Sequence, residues 1–271
     1  MNVFGIVQGR LTQSPPGCLQ WFPQDSWQDE FDIAADIGIS YIELIAEVQH
    51  NPKNPIWTDD GIKKIKQLSA NNHLILHALC NDYIVENPFL SKESLQQSIE
   101  LLKQGKKLGV EKYVMPFFDS SEISSDNMRS YIEPIRRVSE AAEDMNITLC
   151  LETILTGQEL IDFLDLIDRA NVKVVYDTGN RVAFHHDLAG DIRLLKDRIA
   201  HVHIKDKNHD NQNVLLGTGL VNFESVFYAL NDINYTGPYT FETARGSNPI
   251  NTARYNMNLV NFFKINAEKR I

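Results

Sequence analysis

Four potential metal ligands, Glu152, Asp177, His203 and Glu242, each end a short apolar run: Leu149-Cys150-Leu151-Glu152, Val174-Val175-Tyr176-Asp177, His201-Val202-His203 and Tyr239-Thr240-Phe241-Glu242. Their separations of 25, 26 and 39 residues are each close to one strand-plus-helix unit. Successive parallel strands would therefore deliver all four side chains to one end of a barrel. Three carboxylates and one imidazole make a largely oxygen-donor site, hard enough for Mn²⁺ or Mg²⁺ and tolerant of Co²⁺ or Zn²⁺. Without a cation, converging carboxylates repel and take up protons. One divalent ion, with Mn²⁺ the first choice, resolves that conflict.

Strand parity supports the same grouping. Side chains alternate faces along a strand, so Thr148, Cys150 and Glu152 share one face, as do Val175 with Asp177, His201 with His203 and Lys205, and Thr240 with Glu242. Their bulky apolar neighbours fall on the other face, where helices would pack. His201 points inward one layer deeper than His203 and is expected to be a hydrogen-bonded support rather than a ligand. Position also marks pocket residues: Gln8 and Arg10 at the end of strand one, Glu43 near the end of strand two, His77 near the end of strand three, and Lys205 and Lys207 beyond the ligand histidine. Arg10, Lys205, Lys207 and Arg245 have the charge to neutralise a substrate phosphate or carboxylate. Gly217-Thr218-Gly219, after strand seven, lies where barrels often bind phosphate.

The elements that must hold these residues follow from period and punctuation. Eight strands are expected, at Val3–Gly9, Tyr41–Ile45, Leu74–Ala78, Tyr113–Pro116, Thr148–Glu152, Val172–Asp177, Ala200–Lys205 and Tyr239–Glu242. Helical patterns lie between them, at Ser26–Ile37, from a Thr58 cap to Ala70, and at Lys92–Leu108, Ser125–Met145, Gly157–Arg169, Asp187–Lys196, Phe223–Leu230 and Thr252–Glu268. Gly38 and Gly109 stand where left-handed helix endings are needed. The alternation predicts an α/β fold with a closed (β/α)₈ TIM barrel. A Rossmann-like sheet would need a glycine-rich phosphate loop that Gly5 and Gly9 alone do not form.

The length of 271 residues suits one barrel domain over residues 1–271, for which about 250 is typical. No apolar run approaches the roughly 20 residues that cross a bilayer, and no signal peptide is visible, so a cytoplasmic protein without membrane partners is expected. Cys18, Cys80 and Cys150 form no Cys-x-x-Cys pair and are expected to be reduced thiols. A formal net charge of −10 repels phosphate backbones and argues against a nucleic-acid partner.

The Asp177-Thr178-Gly179-Asn180 turn, the His201-Val202-His203-Ile204-Lys205-Asp206 segment and the two terminal glutamates resemble the sugar phosphate isomerase/epimerase superfamily, whose barrel is xylose isomerase-like. Ketose 3-epimerases and endonuclease IV-type enzymes are among its members. Gly5-Ile6-Val7-Gln8-Gly9-Arg10-Leu11, Phe22-Pro23, Trp27 and Tyr41-Ile42-Glu43 carry the resemblance through the first third of the chain. It implies that Glu152, Asp177, His203 and Glu242 bind the metal and that Glu152 and Glu242 are the acid–base pair, passing a proton through an enediolate. A small-molecule sugar or sugar phosphate is then the partner, and homo-oligomers occur among relatives. Two positions depart from the pattern: Asn180 stands where many relatives have His, and His209 where ketose 3-epimerases commonly have Arg. Both are expected at the substrate. Three alternatives stay open: dehydration of an inosose or dehydroshikimate type of keto-polyol, a non-catalytic sugar-binding barrel, and abasic-site DNA cleavage. The last lacks its extra histidines and is opposed by the charge.

Overall fold

The computed structural model describes residues 3–270. Among these residues eight parallel strands close a barrel in chain order: β1 (Phe4–Val7), β2 (Tyr41–Ala46), β3 (Ala78–Asn81), β4 (Lys112–Pro116), β5 (Thr148–Glu152), β6 (Val172–Asp177), β7 (Ile199–Ile204) and β8 (Tyr239–Phe241). β8 pairs with β1 through Phe4–Tyr239, Gly5–Thr240 and Ile6–Phe241, which removes every sheet edge.

Among the described residues ten α-helices follow in order: α1 (Asp29–Ile37), α2 (Asp59–Asn71), α3 (Tyr83–Glu86), α4 (Lys92–Leu108), α5 (Met128–Glu143), α6 (Gly157–Ile167), α7 (Thr178–Ala183), α8 (Leu188–Leu195), α9 (Phe223–Asp232) and α10 (Pro249–Glu268). Their boundaries have local causes. Thr58, Ser91 and Thr156 accept backbone N–H groups that open α2, α4 and α6, and Glu159 completes a capping box with Thr156. Gly38 and Gly109 end α1 and α4 at φ 85° and 88°, as their positions in the sequence predict. Apolar helix stripes, with Phe31, Ile65, Leu101, Ile135 and Phe163 almost wholly buried, cover the outward strand faces.

The barrel interior is unusually polar for this architecture, whose inner layers are normally branched and apolar. Tyr41, Glu43, Cys150, His201 and Thr240 are all buried. Gly5 makes this possible, because a Cβ there would come within 2.0 Å of the Tyr41 ring. The three cysteines are free, with Cys80 and Cys150 buried and Cys18 exposed.

One strand lies elsewhere than the sequence predicts. The apolar triplet Leu74-Ile75-Leu76 stays outside the sheet and Ile75 is 48% exposed, whereas pairing with β4 begins at Ala78. A short apolar run has no period of its own to fix its register. As a result His77 enters the barrel from its base, and the mouth end of β3 carries Asn81 and Asp82. Among the described residues no helix is long and apolar enough to cross a membrane.

Candidate metal centre and active site

The mouth of the barrel is formed where β5, β6 and β7 end and where the chain leaves β8. Glu152 and Asp177 are the last residues of β5 and β6, His203 is on β7, and Glu242 directly follows β8, with its N–H bonded to the Ile204 carbonyl. One ligand atom from each of the four lies within 4.8 Å of the others, and all four residues are buried. His203 Nδ1 sits among the acids, 3.2 Å from Glu242 Oε2, 3.6 Å from Glu152 Oε2 and 3.9 Å from Asp177 Oδ2.

The bonding of these groups suits a cation. Asp177 uses Oδ1 to accept the Asn180 N–H at 2.6 Å and start α7, while its buried Oδ2 makes no hydrogen bond but pairs with Lys205 Nζ at 3.2 Å. Buried His203 Nδ1 likewise has no hydrogen-bond partner. A buried polar atom without a hydrogen bond carries a desolvation cost of about 1–3 kcal/mol; Lys205 offsets part of it at Asp177, and a shared divalent ion would coordinate both atoms at once. Three carboxylates and one imidazole match the donor set of Mn²⁺ or Mg²⁺.

The two glutamates have unequal neighbours. Lys205 Nζ reaches Glu242 Oε2 at 2.8 Å and Asp177 Oδ2 at 3.2 Å, and Arg10 approaches Glu242 Oε1 at 3.4 Å. Burial pushes the Glu242 carboxyl up, but Lys205, His203 and Arg10 together hold it well below the usual carboxylate range. Glu152 instead accepts the Asn180 amide N–H at 2.8 Å. Burial pushes its carboxyl up to about 8; His203 opposes the shift, and the neighbouring Asp177 and Glu242 add to it.

A cavity of about 380 Å³ opens above the four residues. Asn180, Lys205 and Lys207 line it as the sequence suggests, and Lys207 is also bonded to Asn211. Arg10 is buried beside it, bridging Glu242 and Gln20 and donating to the Thr243 carbonyl.

The other residues expected at the substrate have different surroundings. Gln8 is buried and accepts the Ile45 N–H, joining β1 to β2. Glu43 borders the cavity floor, but both its oxygens are taken by His201 and His203. His77, displaced by the shift of β3, faces Glu111 at 3.4 Å from the base of the barrel. His209 is exposed in the loop after β7 and does not line the cavity. Arg245 donates to the Gly9 and Leu19 carbonyls and pins the first loop. The Gly217-Thr218-Gly219 loop is already filled: Asp206 accepts the N–H groups of Gly217, Gly219 and Val221, which leaves those donors committed within the chain.

Sequence reasoning missed Gln20 and Asp82, which line the cavity and bond to each other at 3.3 Å. Asn81-Asp82 at the end of an apolar stretch is the signal that a correctly placed β3 would have exposed. Phe118 and Phe184 form apolar wall in loops whose course no local pattern predicts.

Comparison with known proteins agrees with this architecture. A probable L-ribulose-5-phosphate 3-epimerase of Mycoplasma pneumoniae is 25% identical over 247 residues, covering 86% of this chain and 81% of the relative. A D-psicose 3-epimerase of Ruminiclostridium cellulolyticum is 26% identical over 244 residues, covering 80% of each. Among solved structures, an L-ribulose 3-epimerase superposes with a TM-score of 0.79 at 17% identity, covering 100% of this chain and 97% of that one. The D-psicose 3-epimerase of Clostridium cellulolyticum H10 with D-tagatose gives 0.77 at 20% identity, covering 97% and 99%. At such identities the superpositions speak for the fold alone. The family model described as a xylose isomerase-like TIM barrel matches residues 31–262, and the chain belongs to that family.

Proposed function

We propose that this chain is a divalent-metal-dependent epimerase of a ketose or ketose phosphate. The observation that carries the reading is the convergence of Glu152, Asp177, His203 and Glu242 within 4.8 Å, with Asp177 Oδ2 and His203 Nδ1 buried and without a hydrogen bond. The names of the relatives, epimerases of ketoses and of a ketose phosphate, support the substrate class. Glu152, Asp177, His203 and Glu242 would hold the ion, with Mn²⁺ the first choice. When bound, it supplies positive charge beside a carbonyl and its neighbouring hydroxyl, which lowers the cost of removing the proton on the carbon between them.

The chain's own groups do the rest. Glu152 and Glu242 enter the site from different strands, so a sugar seated between them offers one face of its reacting carbon to each. One glutamate takes the proton from its side and leaves an enediolate, and the other returns a proton from the opposite side, inverting the centre. Lys205 and Arg10 beside Glu242 favour its carboxylate form, while Asn180 orients Glu152. Asn180 has no proton to exchange at neutral pH and serves as a hydrogen-bonding group only. Phe118 and Phe184 add apolar surface to the cavity wall.

Incubation of Mn²⁺-loaded protein with a panel of ketoses and ketose phosphates in heavy water tests the reading. Solvent deuterium is expected at the carbon next to the carbonyl, together with the epimeric sugar. No exchange across the panel counts against the proposal. A new conjugated carbonyl absorbing in the ultraviolet would reassign the site to dehydration.

A further inference from the structure

We infer that Glu43 is the positioning residue of the metal centre: it fixes the ring orientation of His203 and keeps that residue's hydrogen on Nε2. The inference rests on the ion-binding reading above. Glu43 stands on β2, across the barrel from β7, and is wholly buried. Its Oε1 lies 3.1 Å from His203 Nε2 and its Oε2 lies 2.7 Å from His201 Nε2.

A carboxylate only accepts hydrogen bonds, so each imidazole must present an N–H to it. With the hydrogen on Nε2, His203 leaves a lone pair on Nδ1, the buried atom that makes no hydrogen bond and faces the three acids. Ring orientation and tautomer are thereby set by one residue that is not itself among the four at the mouth.

Glu43 is in turn held from below. His201 and His203 are two residues apart on β7, both face inward, and their rings lie 5.1 Å apart at 74°, so one carboxylate spans both. His201 Nε2 also lies 3.0 Å from the Thr240 hydroxyl, which bonds to the Tyr41 hydroxyl. The Tyr41 ring occupies the space that Gly5 leaves open. Glu43 therefore has little freedom to follow any other partner.

Glu43→Gln keeps the volume of the side chain but turns an N–H₂ group toward one of the two imidazoles. Calorimetric titration with Mn²⁺ alone is expected to show affinity about 10- to 100-fold weaker than wild type. Cys150→Ala, which disturbs the same barrel interior at a side chain outside this relay, is expected to bind Mn²⁺ as wild type does. Equal Mn²⁺ affinity in wild type and Glu43→Gln would overturn the inference and leave the proposed function standing. A wild-type protein that binds no divalent ion would remove both. A fall of the same size in Cys150→Ala would reduce Glu43 to a packing role.

Nitrogen NMR of the Zn²⁺-loaded wild-type protein decides the matter even if Glu43→Gln does not fold. Nε2 of His203 is expected to carry the hydrogen and Nδ1 to show the metal-bound shift. The reverse assignment sinks the inference.

Discussion

Glu30 and Asp177 are equally hidden, each 1% exposed, yet they are built in opposite ways. Glu30, on α1, accepts the Gly9 N–H at 2.9 Å on both oxygens and the Leu11 N–H at 3.2 Å. Asp206 is similar, with four backbone N–H groups on its two oxygens. Asp177 accepts a backbone N–H through one oxygen only and turns the other, 3.2 Å from Lys205 Nζ, toward two further acids and an imidazole. The first arrangement ties loops to the barrel. The second has lone pairs to spare and calls for a cation. Burial does not separate the two arrangements, and a raised pKa does not mark the mouth: burial pushes the structural Glu30 up to about 7 and Glu152 at the mouth up to about 8. Saturation of the carboxylate by the chain itself is what distinguishes a structural acid from one available for chemistry.

The contrast is broken most directly at the mouth. Glu152→Gln and Glu242→Gln should each lower kcat by about 10³-fold, the usual scale for a lost proton-transfer group, while circular dichroism stays that of the folded barrel. Deuterium exchange that persists in both variants would exclude the proposed pair.

Glu30 should move stability and its pH dependence. The folded chain keeps the Glu30 proton up to about pH 7, against an ordinary value of 4.5. Between those two pH values it binds more protons than the unfolded chain, so raising the pH through that window removes stability, and above it the loss levels off. At 1.36 kcal/mol per unit the full effect is roughly 3 kcal/mol. Denaturant unfolding of wild type and Glu30→Gln at pH 4.5 and 7.5 should show this slope in wild type and lose that part of it in the variant. Parallel pH profiles would refute the assignment.

A smaller effect sharpens the same comparison. Mn²⁺ at about 100 times its dissociation constant should stabilise the wild-type protein by about 2.7 kcal/mol, seen as a higher melting temperature that a chelator reverses. In Asp177→Asn the ion-dependent increment should vanish, while the ion-free protein stays folded, because Asn still caps α7 and Lys205 keeps Glu242 as a partner at 2.8 Å. An unchanged increment in the variant would remove Asp177 from the ion site.

Much of this was legible before any coordinates. Eight strand-and-helix units, the inward parity of Glu152, Asp177, His203 and Glu242, and the glycine endings of α1 and α4 depend on spacing within a few tens of residues, which periodicity and turn chemistry report directly. The misplacement of β3 shows the limit. Leu74-Ile75-Leu76 has the composition of a strand, but only pairing with β2 and β4 decides that the ladder starts at Ala78, and His77 and Asp82 exchange ends of the barrel accordingly.

What each polar group bonds to was beyond local reading for the same reason. Arg10 meets Glu242 across 232 residues and Glu43 meets His203 across 160. The residue types and their strand positions were written in the chain, and they determined a barrel with a metal-type ligand set at one end. Only closure of the barrel decided which acids its own backbone would satisfy and which would be left open, because hydrogen-bond partners so distant in sequence are chosen by the ring of strands and leave no periodic trace along the chain.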